Sequence, residues 1–345
     1  MSREAHPVPG GVDVTRIRRL LPGLALLLAL GLLARGVTAL VPVGSHLLVV
    51  IGLGVLVANT VGVPDWAAPG VGTHGRWLEA GIVLMGATVG LGGVLEVGGR
   101  VLLLVLLAVC TTVVTVETLS RTVFDVPEKV GSLLAAGSGI CGVSAITAVA
   151  GSIDPDRRDV AYAAATVLLF DAVTLAVYPA VGRLLGLSDL VFGVWAGATM
   201  FSTGPVTAAG FAHSRAAGEW AVLVKLARNV LIGVAAIGYA LYYTGREASG
   251  ATVGSTPRYL WRTFPKFVLG FVLLMLLGGV GAFSDAQTAA LGTASDWAFL
   301  LAFAGLGLGI DAREFRNMGL APVAVVLTSL VLVSTVVLVG LLAFF

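Results

Sequence analysis

Two short stretches near the middle of the chain combine small and hydroxyl-bearing residues in a way that could bind an anion. The first runs Gly137-Ser-Gly-Ile-Cys-Gly-Val-Ser-Ala-Ile146. Because Gly costs a helix about 1 kcal/mol relative to Ala, its repeated use favours an interrupted helix. Free N–H groups at the start of a resumed half-helix form a natural anion site. Close helix packing through small residues is the alternative interpretation, and the residues alone leave both open.

The second stretch is Gly197-Ala-Thr-Met-Phe-Ser-Thr-Gly-Pro205. Pro205 lacks a backbone donor, so we expect it to kink the helix and free carbonyl groups. The hydroxyls of Ser202, Thr203 and Thr207 could then ligate an ion. They could equally satisfy the freed backbone, in which case the stretch is only a supported kink.

Three ionisable residues fall inside apolar segments, where charge is expensive and usually functional. Asp171 lies in one segment, and Lys225 and Arg228 lie on one face of another, because they are three residues apart. One interpretation is a positive lining for an anion, with Asp171 as counter-charge or proton carrier. The other is a structural ion pair with Asp171, or a Lys225 side chain that reaches the nearer membrane interface.

The predicted site collects these residues. Its binding residues are Gly137, Ser138, Gly139, Cys141, Gly142, Ser144, Thr199, Ser202, Thr203, Lys225 and Arg228, and Asp171 is the group for proton or ion coupling. The four His are not clustered with Cys or carboxylates, so no metal site is predicted. No nucleotide-binding, zinc-protease or nucleophile motif occurs, so neither a cofactor nor an enzyme is expected.

The elements that must position this site are membrane helices. The chain has 345 residues, of which 57% are hydrophobic and 12% charged, whereas soluble domains carry about 25% charged residues. We therefore predict an all-α integral membrane protein with about 10–11 transmembrane helices, some broken by Gly or Pro. Apolar segments of suitable length run at 20–41, 44–63, 75–95, 99–120, 130–151, 159–182, 188–212, 217–243, 264–283, 296–310 and 320–344.

The predicted organisation is a cytoplasmic N-terminal tail, 1–19, and one polytopic domain, 20–345. Most loop Lys and Arg residues fall on one side of this arrangement, which places the N-terminus in the cytoplasm of a multi-pass plasma-membrane protein. The segments Gly81–Gly99 and Leu300–Gly319 share an apolar run, a Gly-rich stretch and a short amphipathic piece. Their opposite directions suggest inverted repeats.

The chain resembles the YeiH-type membrane proteins, often named sulfate exporters, over nearly its whole length. The Gly137–Ile146 stretch is the most specific match. Further matches are Leu21-Pro-Gly23, Gly81-Ile-Val-Leu-Met-Gly86, Tyr178-Pro179, Leu187-Ser-Asp189, Phe192-Gly-Val-Trp-Ala-Gly197, Val224-Lys-Leu-Ala-Arg228 and Gly305-Leu-Gly-Leu-Gly-Ile-Asp311. The resemblance places the chain in the cation–proton antiporter and anion transporter superfamily. It implies inverted repeats and crossed, broken helices around a midplane site.

One departure from the family pattern bears on substrate and coupling. Where the family usually shows a His-acid pair and a Gln, this chain has Phe201, Ser202 and Pro205, and it carries Asp171 instead.

The expected function is a secondary transporter that exports or exchanges a small anion, sulfate or a related sulfonate-derived anion, with H+ or Na+ as coupling ion. The alternatives are a cation–proton antiporter that uses Asp171, and a non-transporting membrane scaffold or sensor. The bilayer is the expected surrounding, nucleic acid is not an expected partner, and homo-oligomerisation is left open.

Overall fold

The structure is a computed structural model that describes residues 14–40, 45–244, 261, 264–313, 315 and 319–344. The regular elements of this part of the chain are all helices. They are α1 (Val14–Leu40), α2 (His46–Thr60), α3 (Ala68–Val71), α4 (His74–Met85), α5 (Leu91–Thr122), α6 (Glu128–Ala136), α7 (Gly142–Ile153), α8 (Arg157–Leu184), α9 (Asp189–Thr199), α10 (Thr203–His213), α11 (Arg215–Asn229), α12 (Ile232–Thr244), α13 (Phe267–Gly279), α14 (Asp285–Leu308) and α15 (Leu320–Phe344). A 3₁₀ turn, Gly86–Thr88, follows α4, and a π turn, Gly137–Cys141, follows α6.

Most of these helices are apolar enough to cross a membrane. Within the described ranges, seven helical stretches have the required length and hydropathy, and α2 and α13 are shorter apolar helices. Together with α4 and the consecutive helices α9 and α10, they correspond one to one with the predicted segments. The all-α membrane fold predicted from composition is therefore confirmed. Residues 1–13 of the expected tail lie outside the described residues, and α1 already includes residues 14–19.

One predicted boundary is wrong. The predicted segments 75–95 and 99–120 put a break at 96–98, but α5 runs unbroken from Leu91 to Thr122. A Cβ atom at Gly92, Gly93 or Gly99 would meet no atom within 4 Å, so these glycines face open space and leave the helix intact. The break lies earlier, at the 3₁₀ turn, where a side chain on Gly86 would overlap the carbonyl oxygen of Phe271 on α13.

The helices divide into two groups by their packing. The first helix group contains α1–α4, α13 and α14, and α14 packs tightly on α2 and α4. Glycine permits this approach: a Cβ at Gly54 would lie 2.8 Å from the carbonyl oxygen of Ala304. Asn59 at the end of α2 also donates to the carbonyl of Ile310 at 2.8 Å. The second helix group contains α5–α12 and α15, and it holds the predicted site residues.

The two groups meet mainly where α10 contacts α2 and α14, and where α13 contacts α5. The proposed repeat segments occupy the end of α4 with the start of α5, and the end of α14 with the residues before α15. Helices α4 and α14 pack against each other in the first group. Their relation as inverted repeats stays a prediction.

Candidate functional site

The first interrupted helix breaks near the middle of the Glu128–Ile153 span. Helix α6 ends at Ala136, the π turn follows, and α7 begins at Gly142. Gly142 has φ +55°, a conformation that favours glycine. A Cβ atom at this position would also overlap the Ser202 hydroxyl oxygen. The positive φ is the backbone's reason for glycine at this point, and the Ser202 hydroxyl would have to move to admit a larger residue.

The second interruption separates α9 from α10. Helix α9 ends at Thr199, Met200 is extended, and α10 starts at Thr203. The expectation that Pro205 kinks a continuous helix is wrong, because Pro205 lies in the first turn of α10. A missing N–H costs nothing there, since the first N–H groups of a helix have no partner within the helix. The break lies just before it.

The two interruptions lie against each other, and we call this place the crossing. Gly142 of the first approaches Ser202 of the second, and Cys141 Sγ lies 3.6 Å from Thr203 Oγ1. Six of the predicted glycine and hydroxyl positions and Cys141 are thus in one place, since Gly137, Ser138 and Gly139 belong to the π turn that leads to the crossing. Ser144 is exposed on α7. Thr199, the last residue of α9, donates to the carbonyl of Trp195 at 2.6 Å and bonds to Tyr178 at 2.9 Å.

Arg228 of α11 binds the carbonyl ends of both interrupted helices. Its guanidinium is buried, and each nitrogen donates to backbone oxygen. Nη1 donates to Gly197 at 2.9 Å and to Met200 at 2.7 Å. Nη2 donates to Ser138 at 2.9 Å and to Gly139 at 2.8 Å, and Nε donates to Gly139 at 3.2 Å. These bonds use all five N–H groups of the side chain.

Lys225, one turn before Arg228, is fully buried and completes the arrangement. Its ammonium donates to the carbonyl of Ile140 at 2.7 Å, of Met200 at 3.3 Å and of Phe201. Unpaired carbonyls carry partial negative charge at helix C-termini, so the two cations stabilise two such ends. Lys225 does not reach an interface. The side-chain donors of Lys225 and Arg228, which were predicted as a positive lining for an anion, are already bonded to backbone carbonyls.

Asp171 of α8 holds the opposite end of the second break. Its Oδ1 accepts the backbone N–H of Ser202 at 2.9 Å, at the start of α10. The side chain is 3% exposed, and Oδ2 has no hydrogen-bond partner. The ion pair with Lys225 or Arg228 that the sequence left open is absent from these described side chains, because no N–O distance from Asp171 falls within 4.0 Å.

Sequence reasoning missed one residue of the crossing. Asn229 follows Arg228, is 2% exposed, and donates from Nδ2 to Thr203 Oγ1 at 3.1 Å. Its Oδ1 has no partner, and the same is true of the buried Ser138 hydroxyl. The signal available in the sequence was the position of Asn229, a polar residue four places after Lys225 and so on the same face of the helix.

The charges of the site do not cancel. With all three groups in their usual ionised forms, Lys225 and Arg228 give two positive charges and Asp171 one negative charge, a formal net charge of +1. The half-helix ends at the crossing contribute partial charges of both signs. Buried charge is screened far less than surface charge, so this excess extends over the crossing. Across the described chain, no three His, Cys, Asp or Glu residues are grouped as they would be around a metal ion.

The fold and the site define a polytopic membrane protein built around two crossed, interrupted helices. Residues 22–326 match the model of the family described as conserved hypothetical protein 698. The chain belongs to this family, UPF0324, which is the YeiH-type group that the motifs indicated.

Curated relatives carry the same family description and name no activity. A UPF0324 membrane protein of Nitratidesulfovibrio vulgaris is 32% identical over 270 residues, covering 77% of this chain and 75% of the relative. One from Rhodopirellula baltica is 31% identical over 275 residues, 76% of this chain but 50% of the relative. One from Bacillus cereus is 28% identical over 300 residues, 86% of each chain. No solved structure matches the chain.

Proposed function

We propose that the protein is a secondary transporter whose substrate binds where the two interrupted helices cross. One observation carries the proposal: two membrane helices break at the same place, and buried charged side chains hold the loose backbone ends. Irregular backbone is tolerated at membrane depth only where protein covers it or where it lines a cavity. Interrupted helices with exposed ends are the usual binding sites of secondary transporters.

The substrate we propose is a small anion, sulfate or a related sulfonate-derived anion. The net charge of +1 at the crossing favours a negative ligand. The first N–H groups of α7 have no side-chain cap, and Cys141, Gly142 and Thr203 lie beside them. Lys225 and Arg228 then act through their charge and by holding the half-helices in place. An anion would contact the N–H groups and hydroxyls rather than these two side chains.

Asp171 is the proposed coupling group, and H+ is the proposed coupling ion. Its unpartnered Oδ2 can take a proton, which would raise the net charge of the crossing from +1 to +2. A proton would therefore strengthen anion binding, and by linkage the anion would strengthen proton binding. The neutral carboxyl would still accept the N–H of Ser202 through Oδ1. This account predicts that anion and proton move together.

A second candidate function is cation–proton antiport. The specific observation in its favour is that the unpartnered side-chain atoms of Asp171 and Asn229 are both acceptors. All N–H donors of Lys225 and Arg228 are occupied, and these two unpartnered oxygens suit a cation or a proton better than an anion. In this account Na+ or another cation would compete with a proton for Asp171.

Alternating access would arise from movement of the two helix groups relative to each other. Arg215 at the start of α11 lies 3.6 Å from Asp296 of α14, and Thr88 donates to Glu219 of α11 at 3.3 Å. We call these two contacts the intergroup bridge. They join the helix groups at the end where α11 begins, which we place on the outer face, with the N-terminus in the cytoplasm of a plasma-membrane protein. Breaking the bridge would open the crossing to that side.

The test is solute flux in sealed proteoliposomes. Labelled sulfate, sulfonates, chloride and Na+ are offered singly to wild type and to Thr203→Val, with Thr147→Val on the exposed face of α7 as matched control. We expect sulfate or sulfonate flux in wild type, a loss of about tenfold in Thr203→Val, and no change in the control. Flux of Na+ alone would favour the second candidate. Absence of flux for every solute would contradict transport and favour a membrane scaffold or sensor.

A further inference from the structure

An apolar groove lies between α5 and α12, away from the proposed substrate site. Its volume is about 800 Å³, within the ~300–1,000 Å³ typical of ligand sites. Val109 and Val113 line one side, and Leu231, Ala235 and Gly238 line the other. Both helices belong to stretches suited to span a membrane. Water is expelled from a pocket lined by such side chains, so the groove suits hydrocarbon.

The rims of this groove face outward. Val114 is 63% exposed and Val234 is 61% exposed, and both line the groove. In a membrane helix these positions meet lipid, so acyl chains of the bilayer have direct access. From Arg121 at one end to Leu106, the lining residue of α5 farthest from it, the distance is about 22 Å along the helix. That length is enough to cross one leaflet, which is about half of a ~30 Å hydrocarbon core.

The groove has a polar end at Arg121. Arg121 Nη2 lies 2.7 Å from Glu117, Nη1 pairs with Glu128, and Tyr239 donates to Glu117 at 2.8 Å. A second cavity of about 540 Å³ adjoins there and is lined by Arg121, Asp125 and Glu128 among others. The two cavities share Arg121, so an apolar compartment opens into a polar one.

The charge of this polar end is negative. Among the described residues that line the two cavities, Glu117, Asp125 and Glu128 give three negative charges, against the one positive charge of Arg121. A ligand with a cationic head that donates hydrogen bonds complements this arrangement. A head with net negative charge would be repelled.

We propose that the groove binds one membrane phospholipid with an ethanolamine headgroup. One acyl chain fills the groove between α5 and α12, and the ammonium lies among the carboxylates of Asp125 and Glu128. Ile140 of the π turn also lines the groove, and its carbonyl accepts from Lys225. Lipid binding is independent of the proposed transport function, although the chain end would touch the first interrupted helix.

Native mass spectrometry of the purified full chain tests this proposal. The protein is stripped of lipid and then offered phosphatidylethanolamine or phosphatidylglycerol. Gly238→Phe fills the groove, because a Cβ at Gly238 meets no atom within 4 Å. Gly52→Phe is the matched control, since Gly52 on α2 is also open but lies outside the groove. Asp125→Asn with Glu128→Gln removes charge from the polar end.

We expect one phosphatidylethanolamine per wild-type chain, and occupancy about tenfold lower in Gly238→Phe. Gly52→Phe should bind as wild type does, and the double amide variant should lose its preference over phosphatidylglycerol. Equal lipid occupancy in Gly238→Phe and wild type would overturn the proposal. So would a wild-type preference for phosphatidylglycerol, or a lipid-free dimer that Gly238→Phe dissociates, since the groove would then hold a second copy.

Discussion

Asp171 and Ser202 are joined by a 2.9 Å hydrogen bond from the backbone N–H of Ser202 to Oδ1, while the second carboxyl oxygen has no partner. Fixing one oxygen on the start of α10 orients the carboxyl and leaves the other available. A buried acceptor without a partner costs about 1–3 kcal/mol, which a protein tolerates mainly where the group has a role. This relationship is the basis for assigning Asp171 to coupling.

The glycine at the first break should be irreplaceable. Gly142→Ala introduces a side chain at φ +55° and into the space of the Ser202 hydroxyl, so we expect a loss of about 1–3 kcal/mol or more and poor expression. Gly151→Ala on the same helix is the control, because a Cβ there meets nothing within 4 Å. Thermal unfolding in detergent measures both. Equal melting temperatures for the two variants would show that the break is not held as the structure describes.

The stability of the protein should depend on the guanidinium geometry of Arg228 as well as on its charge. Arg228→Lys keeps the charge but offers three donors in place of five, so carbonyls of Ser138, Gly139 or Gly197 lose their partner. We expect a loss of several kcal/mol for Arg228→Ala, as for other broken buried charge contacts, and a smaller loss for Arg228→Lys. Thermal unfolding and flux are measured together, with exposed Arg100→Ala as control. A fully stable Arg228→Ala that fails only to bind anion would instead support direct anion contact.

The intergroup bridge should control access to the crossing. Arg215 and Asp296 are half exposed, so their pair stabilises the fold by only about 0–1 kcal/mol. Arg215→Ala should therefore leave the melting temperature nearly unchanged while shifting the equilibrium between closed and open arrangements. We expect faster labelling of Cys141 by a membrane-impermeant thiol reagent, measured with Cys110→Ala to remove the other thiol. Arg313→Ala, an exposed Arg in the first helix group, is the control. Identical labelling rates in Arg215→Ala and the control would show that the intergroup bridge does not control access to the crossing.

Helix α15 is joined to α8 and α9 by one network of hydroxyl hydrogen bonds. Tyr178 donates to Ser334 at 3.0 Å and bonds to Thr199 at 2.9 Å, and its ring stacks on Trp195. Tyr178→Phe removes two hydrogen bonds and keeps the stacking, so we expect a loss of about 1–3 kcal/mol. In Tyr162→Phe, by contrast, the hydroxyl that is removed forms no hydrogen bond with the described residues. A melting temperature for Tyr178→Phe equal to that of Tyr162→Phe would refute the role of the network.

The sequence was sufficient for the membrane class and for the two interrupted helices, because apolar length and clustered Gly, Ser and Thr are local signals. It could not show that Lys225 and Arg228 bind carbonyls, since their acceptors lie 24 or more residues away along the chain. It also placed a break at 96–98, where α5 is continuous, because Gly composition does not distinguish an exposed helix face from an interruption. Asn229 was overlooked because its partner, Thr203, approaches it only after folding.

The central claim is that a proton on Asp171 accompanies an anion through the crossing, and one measurement tests it directly. Proteoliposomes with a pH gradient, but no anion gradient, are compared for wild type and Asp171→Asn, and accumulation of labelled sulfate is followed. We expect wild type to accumulate sulfate on the alkaline side, and Asp171→Asn to exchange sulfate without accumulating it. Accumulation in Asp171→Asn equal to that in wild type would contradict the account, because the carboxyl could not then be the proton carrier.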